Sequence, residues 1–300
     1  MEKIINDLKE ICSDVRTNEL MKNHTTFKIG GPVDIFLAPK NEEEVVDIVK
    51  YLKEKDIEFF VLGNGSNLLV RDKGIRGVVI YIGENLSNIE VKGNKVYAQS
   101  GALLKAASMA GIKKGLTGME AVSGIPGSIG GAITMNAGAY GTEMIDIIES
   151  VKAVDRNGNV RVYSNEEMHF GYRHSRVKEE GLIVLSCIFN LKEGNQKEID
   201  FMYNDFTHKR TSRQPLEKAS AGSTFKRPSK GYASKLIDDA GLRGLSVNEA
   251  MVSTKHTGFI INDGNASCDD VLELIDKVTE IIEKEFGIRL EREVIVIGEE

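Results

Sequence analysis

The segment Val61-Leu62-Gly63-Asn64-Gly65-Ser66-Asn67-Leu68-Leu69 opens like a glycine turn that seats a dinucleotide phosphate, and then breaks the pattern. Its third glycine is missing, and an apolar strand-like run follows where a helix should begin, which excludes a Rossmann half. A P-loop kinase or ATPase is excluded too, because the sequence contains no Gly-Lys pair. A second cluster, Ser123-Gly124-Ile125-Pro126-Gly127-Ser128-Ile129-Gly130-Gly131, continues into Asn136-Ala137-Gly138-Ala139-Tyr140-Gly141 and places six glycines from Gly124 to Gly141. Backbone N–H groups freed of side-chain bulk, with Ser and Asn as added donors, can converge on a diphosphate. Tight turns between strands are the alternative for either cluster alone. Two Ser- and Asn-bearing clusters in one chain favour the phosphorylated ligand.

The flanking patterns place these loops. From Asn41 to Lys55, Val45, Ile48, Val49 and Leu52 recur at helical spacing, with Asn41 as N-cap and Glu42 to Glu44 at the positive helix start. Strand-like runs follow at Ile57 to Leu62 and Val78 to Ile82. Between Ile89 and Leu191, strands are expected at Lys95 to Gln99, Val151 to Val154, Val160 to Tyr163 and Leu182 to Asn190, with a short helix near Ala102 to Ala110 and a hairpin turn at Asn157-Gly158. From Gln196 the pattern turns helical, through Phe201 to Arg210, Tyr232 to Ala240 and Asp270 to Phe286. The end, Ile288 to Ile297, reads as a strand with Glu293 on the face of Ile295 and Ile297.

At 300 residues the chain is long enough for two or three cores. Lys plus Arg number 39 against 45 Asp plus Glu, so there is no electrostatic footprint for nucleic acid, and any bound anion must be held by local devices. Cys12, Cys187 and Cys268 are far apart and form no C-x-x-C pair, so neither a disulfide framework nor a zinc site is expected. The histidines show no metal-ligand spacing, and no metal is expected. A charged N-terminus and the absence of a long apolar run point to a cytoplasmic chain without a membrane span or an obligate protein partner.

The two loops, followed by Tyr172-Arg173-His174-Ser175, Ala221-Gly222-Ser223-Thr224-Phe225-Lys226-Arg227-Pro228 and Leu290-Glu291-Arg292-Glu293-Val294, resemble the UDP-N-acetylenolpyruvoylglucosamine reductase family over nearly the whole chain. The short spacing from Tyr172 to Ser223 is similar to the compact type II form. The resemblance implies an α+β chain: a two-subdomain FAD-binding fold of the vanillyl-alcohol-oxidase class plus a C-terminal α+β substrate-binding domain. The expected divisions are 1–85, joined by a C-terminal strand at 290–300, then 86–195, and 196–289. It also implies NADPH as hydride donor to FAD and a nucleotide-sugar enolpyruvyl ether as substrate. FAD would be bound non-covalently, since the loop around Asn67 carries no His or Cys.

By the same resemblance, Gly63, Asn64, Gly65, Ser66, Asn67, Leu68, Ser123, Gly124, Ile125, Pro126, Gly127, Ser128, Gly130, Asn136 and Gly138 would hold FAD. Arg173, Ser223 and Glu293 match the catalytic positions. Arg173 would pair with the substrate carboxylate, Ser223 would donate the proton at C2 with Lys226 and Arg227 nearby, and Glu293 would act as an acid with its pKa raised by apolar company. Tyr172, Lys226, Arg227 and His256 are substrate candidates, with Lys255 beside them. Read singly, each has a plainer meaning: Ser223 a turn residue, Arg173 a surface cation, Glu293 a partner of Arg289 or Arg292. A flavin oxidase on the same fold and a non-catalytic nucleotide-sugar-binding protein are the competing functions.

Overall fold

The computed structural model describes residues 2–300. Asn41 caps the helix Glu42–Glu54 as expected, its side-chain oxygen accepting the Glu44 N–H at 2.8 Å. The apolar stripe of that helix, Val45, Ile48, Val49 and Leu52, is fully buried. It packs with Ile35, Leu37, Val78 and Ile80 of a sheet ordered Val15–Leu20, Pro32–Leu37, Ile75–Tyr81 and Phe59–Leu62. Phe59–Leu62 runs parallel to Ile75–Tyr81, so the loop that leaves Leu62 starts from the C-terminal end of a parallel strand.

A second core lies under a five-stranded antiparallel sheet ordered Val160–Ser164, Ile148–Val154, Ile183–Asn190, Lys95–Gln99 and Ile89–Lys92. The expected hairpin is present. Asp155 accepts the backbone N–H groups of Asn157 and Asn159, and Gly158 takes the positive φ of 85° that the turn requires. The helices Leu104–Ile112 and Ile129–Thr134 contribute Leu104, Ala107, Ile129, Ala132 and Ile133 to this core.

A third core gathers around the helix Cys268–Phe286, which opens with a Ser267/Asp270 capping box and ends on Gly287 at φ 66°. Its buried face, Val271, Leu274, Ile275, Val278 and Ile282, keeps helical spacing and packs with Val252 and Ile260. Those two belong to a small sheet ordered Ala219–Ser220, Ile260–Asn262, Ala250–Val252 and Ser246–Val247.

Contact density gathers the chain into two units. One comprises Met1–Thr17, Ile35–Asn64 and Gly77–Arg210 and holds the first two cores; the other comprises Asn18–Asp34, Gly65–Arg76 and Thr211–Glu300 and holds the third. The segment 1–85 is thus divided, because Phe27, Ile29 and Leu69 pack in the third core. The polar helix Gln196–Arg213 begins in the first unit.

The C-terminal strand is shorter than its alternation predicts. Only Ile295–Ile297 is a strand, paired in parallel with the three-residue strand Leu68–Val70, and Arg292 makes an isolated bridge with Phe225 instead. Ordered pairing ends where the partner strand ends. Val294, rather than Glu293, points into the core: Val294 is buried, whereas Glu293 is only half-buried.

Cys12, Cys187 and Cys268 are free, buried thiols, and burial pushes the Cys268 thiol up to about 12. Among the described residues no helix is long and apolar enough to cross a membrane, and no group of His, Cys, Asp and Glu could hold a metal ion.

Candidate active site

In the first unit the two glycine loops meet. The Asn64 amide donates to the Pro126 carbonyl at 2.6 Å, and a Cβ built on Gly63 would stand 2.3 Å from Ser128 Oγ. Several donors expected to face a ligand are committed inside the protein. The Gly130 N–H goes to Ser100, the Ser123 hydroxyl to Glu120, and both Asn136 amide bonds to protein oxygens, Glu143 Oε2 and the Gly171 carbonyl. Gly138 pairs with Glu143 in a two-residue ladder. The backbone N–H groups of Gly63, Asn64, Gly124, Gly127 and Ser128 donate to no protein group among the described residues. The cradle is therefore narrower than the sequence suggests, and Asn136 contributes through its buried amide to the loop beyond it.

That loop carries Arg173. Gly171 and His174 exchange two backbone hydrogen bonds, which leaves Tyr172 and Arg173 at the tip of a tight turn. Arg173 sits at φ 54°, with its guanidinium 5.0 Å from the centre of the Tyr172 ring. The turn is held from three sides: Asn136 grips the Gly171 carbonyl at 3.1 Å, the fully buried Ser175 donates to the Thr134 carbonyl at 3.0 Å, and Glu179 accepts from His169 and His174. Those histidine hydrogen bonds hold the Glu179 carboxyl below its ordinary range.

Also within the first unit is a pocket of about 290 Å³, bounded by Gly63, Asn64 and Ser128 on one side and by Ile82, Leu103 and Ala106 on the other. Gly83 and Gly101 let two chain segments approach there, since a Cβ on Gly101 would lie 2.1 Å from the Gly83 carbonyl oxygen. Sequence reasoning did not reach Gly83, Glu84, Gly101 or Leu103. The available signal was an isolated glycine just past each strand; the 48% exposure of the apolar Leu103 shows only in the structure.

In the second unit Gly65 adopts φ 60° with His24 O only 2.1 Å from where a Cβ would be, so this position admits glycine alone. Ser66 follows it in the turn. Asn67 accepts the Ile295 N–H and donates to the Glu293 carbonyl, while Leu68 pairs with Ile295. Glu293 N–H in turn donates to the Thr224 carbonyl at 2.8 Å, and the Phe225–Arg292 bridge extends the pairing. Two residues 70 positions apart, Ser223 and Glu293, therefore stand on adjoining stretches of backbone. Ser223 is exposed on a turn whose neighbours are anchored: Gly222 takes φ 77°, Thr224 N–H donates to Gly258 O, and Thr224 Oγ1 accepts from Ile260.

The remaining substrate candidates have partners in the fold. Lys226 pairs with Glu291 at 3.0 Å, Arg227 lies 4.6 Å over the Tyr232 ring, and Lys255 donates to the Thr211 carbonyl. His256 is tied to Gly258, whose carbonyl accepts the Thr224 N–H. Its Nδ1 accepts the Gly258 N–H, which assigns the proton to Nε2, and burial pushes its pKa below the ordinary histidine value.

Residues 33–164 match the family model described as FAD binding domain, and residues 214–297 match that described as UDP-N-acetylenolpyruvoylglucosamine reductase, C-terminal domain. The UDP-N-acetylenolpyruvoylglucosamine reductase of Clostridium kluyveri is 50% identical over 295 residues, covering 98% of this chain and 97% of that protein. The chain belongs to the UDP-N-acetylenolpyruvoylglucosamine reductase family. The reductase of the same name from Caldanaerobacter subterraneus subsp. tengcongensis is 47% identical over 300 residues, covering 99% of each chain. Among solved structures, the Thermus caldophilus reductase superposes with a TM-score of 0.82 at 37% identity, covering 94% of this chain and 98% of that one. An alkyldihydroxyacetonephosphate synthase, 13% identical at a TM-score of 0.50 over 64% of this chain and 40% of that one, shares the fold alone. The chain is thus an α+β protein with an FAD-binding fold of the vanillyl-alcohol-oxidase class.

The residues present fit that cofactor. Unused N–H groups at Gly63, Asn64, Gly124, Gly127 and Ser128 suit a diphosphate, the cramped glycines admit close backbone approach, and the adjoining pocket offers the apolar side chains Ile82, Leu103 and Ala106 beside polar Asn64 and Ser128. FAD combines both chemistries.

Proposed function

We propose that this chain reduces the enolpyruvyl ether of UDP-N-acetylglucosamine enolpyruvate to UDP-N-acetylmuramate, a cytoplasmic step of cell-wall precursor synthesis, with Arg173, Ser223 and Glu293 as its catalytic residues. What FAD supplies, when bound, is a hydride store between NADPH and C3 of the enolpyruvyl group. Hydride arriving at C3 leaves negative charge on C2 and the adjoining carboxylate. The guanidinium of Arg173, on a turn braced by Asn136, Ser175 and Glu179, is shaped to hold that carboxylate in a two-pronged grip. Ser223 gives its hydroxyl proton to C2, and Glu293 stands beside it as hydrogen-bond partner and acid.

The observation that supports this reading is the backbone hydrogen bond from Glu293 N–H to the Thr224 carbonyl, which sets the chain stretches carrying Ser223 and Glu293 side by side. A turn serine alone would need no such neighbour.

The test is anaerobic. The purified protein should carry flavin; NADPH should bleach it, and the enolpyruvyl nucleotide sugar should restore its absorbance. Reoxidation by oxygen alone would instead favour a flavin oxidase on the same fold. Absence of flavin would sink both readings.

A further inference from the structure

Arg210 lies on the helix Gln196–Arg213, one turn beyond Phe206, whose ring stacks on Tyr140 at 4.9 Å. Its stem covers Gly124: a Cβ built there would meet Arg210 Cδ at 2.8 Å, so the glycine makes room for this arginine. The Nε of Arg210 is shut off from solvent and has no hydrogen-bond acceptor. Burial pulls its pKa down, and among the described residues no salt bridge joins it to a carboxylate. Other arginines of the chain are paired at the surface, Arg161 with Glu167, Arg243 with Asp238 and Arg289 with Glu283. A half-buried guanidinium whose Nε is shut off from solvent without an acceptor or a carboxylate partner is unfavourable, and an anion placed there would supply both.

The anion has a seat beside it. Gly124, Gly127 and Ser128 hold N–H groups with no protein acceptor, and Asn64 ties the Gly63-Asn64 turn to the same loop through Pro126. These donors are neutral, in a chain of net charge −6, and a diphosphate brings two negative charges. We propose that Arg210 is the charge partner of the diphosphate held by these two loops, belonging either to FAD or to the nucleotide sugar. This rests on the reading of the loops as a cofactor cradle.

The test uses the full-length chain stripped of flavin and the variants Arg210→Gln and Arg210→Lys. Wild-type protein is titrated with FAD, FMN and riboflavin by flavin fluorescence, and holoenzyme with UDP. If Arg210 meets the FAD diphosphate, Arg210→Gln weakens FAD roughly 10- to 100-fold, FMN less, and riboflavin not at all, with partial recovery in Arg210→Lys. If it meets the nucleotide diphosphate, FAD binding is unchanged while UDP binding to holoenzyme weakens by a similar factor. In both cases the flavin-free variant melts no lower than flavin-free wild type, because a half-buried cation without a counter-charge has been removed. Equal FAD and UDP affinities overturn the proposal, as does an equal loss for riboflavin together with a lower melting point, which marks a structural role. Failure of the wild type itself to bind flavin refutes the cofactor reading, a result separate from any effect of the variants.

Discussion

The two units carry their candidate residues in different materials. The cradle of the first unit consists of backbone, N–H groups left over where Gly63, Gly124 and Gly127 turn, and its side chains serve mainly to fix the loops to one another. The candidate residues of the second unit, Ser223 and Glu293, are side chains, and there the backbone pairs Thr224 with Glu293 and Phe225 with Arg292. Chemistry can therefore be removed from the second by deleting one oxygen with little damage to the fold. The first is damaged only by adding atoms or by loosening the loop.

The sharpest way to break this comparison is Ser223→Ala. Its exposed hydroxyl supports no packing, so the melting temperature should stay put and NADPH should reduce the flavin at the wild-type rate. Reoxidation by the enolpyruvyl nucleotide sugar should slow by something on the order of 10²- to 10⁴-fold in stopped flow. Slowing of both half-reactions would show that the serine holds the turn and does not donate the proton.

Adding one methyl group probes the other half. Gly63→Ala forces Cβ against Ser128 Oγ, which should cost about 1–3 kcal/mol in denaturant unfolding and weaken FAD. The companion Ser128→Ala removes that oxygen and should recover most of the loss in the double variant. Without such recovery, the clash is not what forbids a side chain at Gly63.

Asn136→Ala tests whether the cradle and the Arg173 turn are mechanically joined. Losing the bonds to Glu143, Gly171 and Ile145 should cost about 1–3 kcal/mol of stability. KM for the nucleotide sugar should rise, while NADPH reduction of bound flavin is spared; an unchanged KM would uncouple the two loops.

The smallest effect concerns His256. Its folded pKa lies below the unfolded value of about 6.5, so the unfolded chain binds the proton more readily. The stability associated with the neutral ring is whole above pH 6.5 and declines as pH falls through the folded pKa. Thermal melts of His256→Gln should be flatter than wild type from pH 7 to 5. Parallel curves would remove His256 as the cause.

The sequence announces what is local and hides what is long-range. Asn41 at its helix cap, the Asn157-Gly158 hairpin and the stripe of the last helix are local, and each forms as its residues imply. The terminal alternation from Ile288 predicts a strand with Glu293 facing the core. The segment is interrupted because its partner, Leu68–Val70, is three residues long and because Glu293 N–H is used by Thr224. Asn136 reads as a ligand donor within a glycine cluster, yet its donors go to Glu143 and to Gly171, 35 residues away. Arg210, inside a helix whose apolar residues Ile199, Phe201, Met202 and Phe206 gather on no single face, carries no mark that its Nε is buried.

The backbone of Arg173 has one more consequence. A non-glycine residue at φ 54° costs about 1 kcal/mol against the same turn made with glycine. For folding alone glycine would be the better choice, and Arg173→Gly should raise the melting temperature while abolishing turnover. On the proposed role of Arg173 the turn trades durability for work: the molecule keeps a less comfortable conformation where the guanidinium is to meet substrate, and a screen for thermal tolerance would select against it.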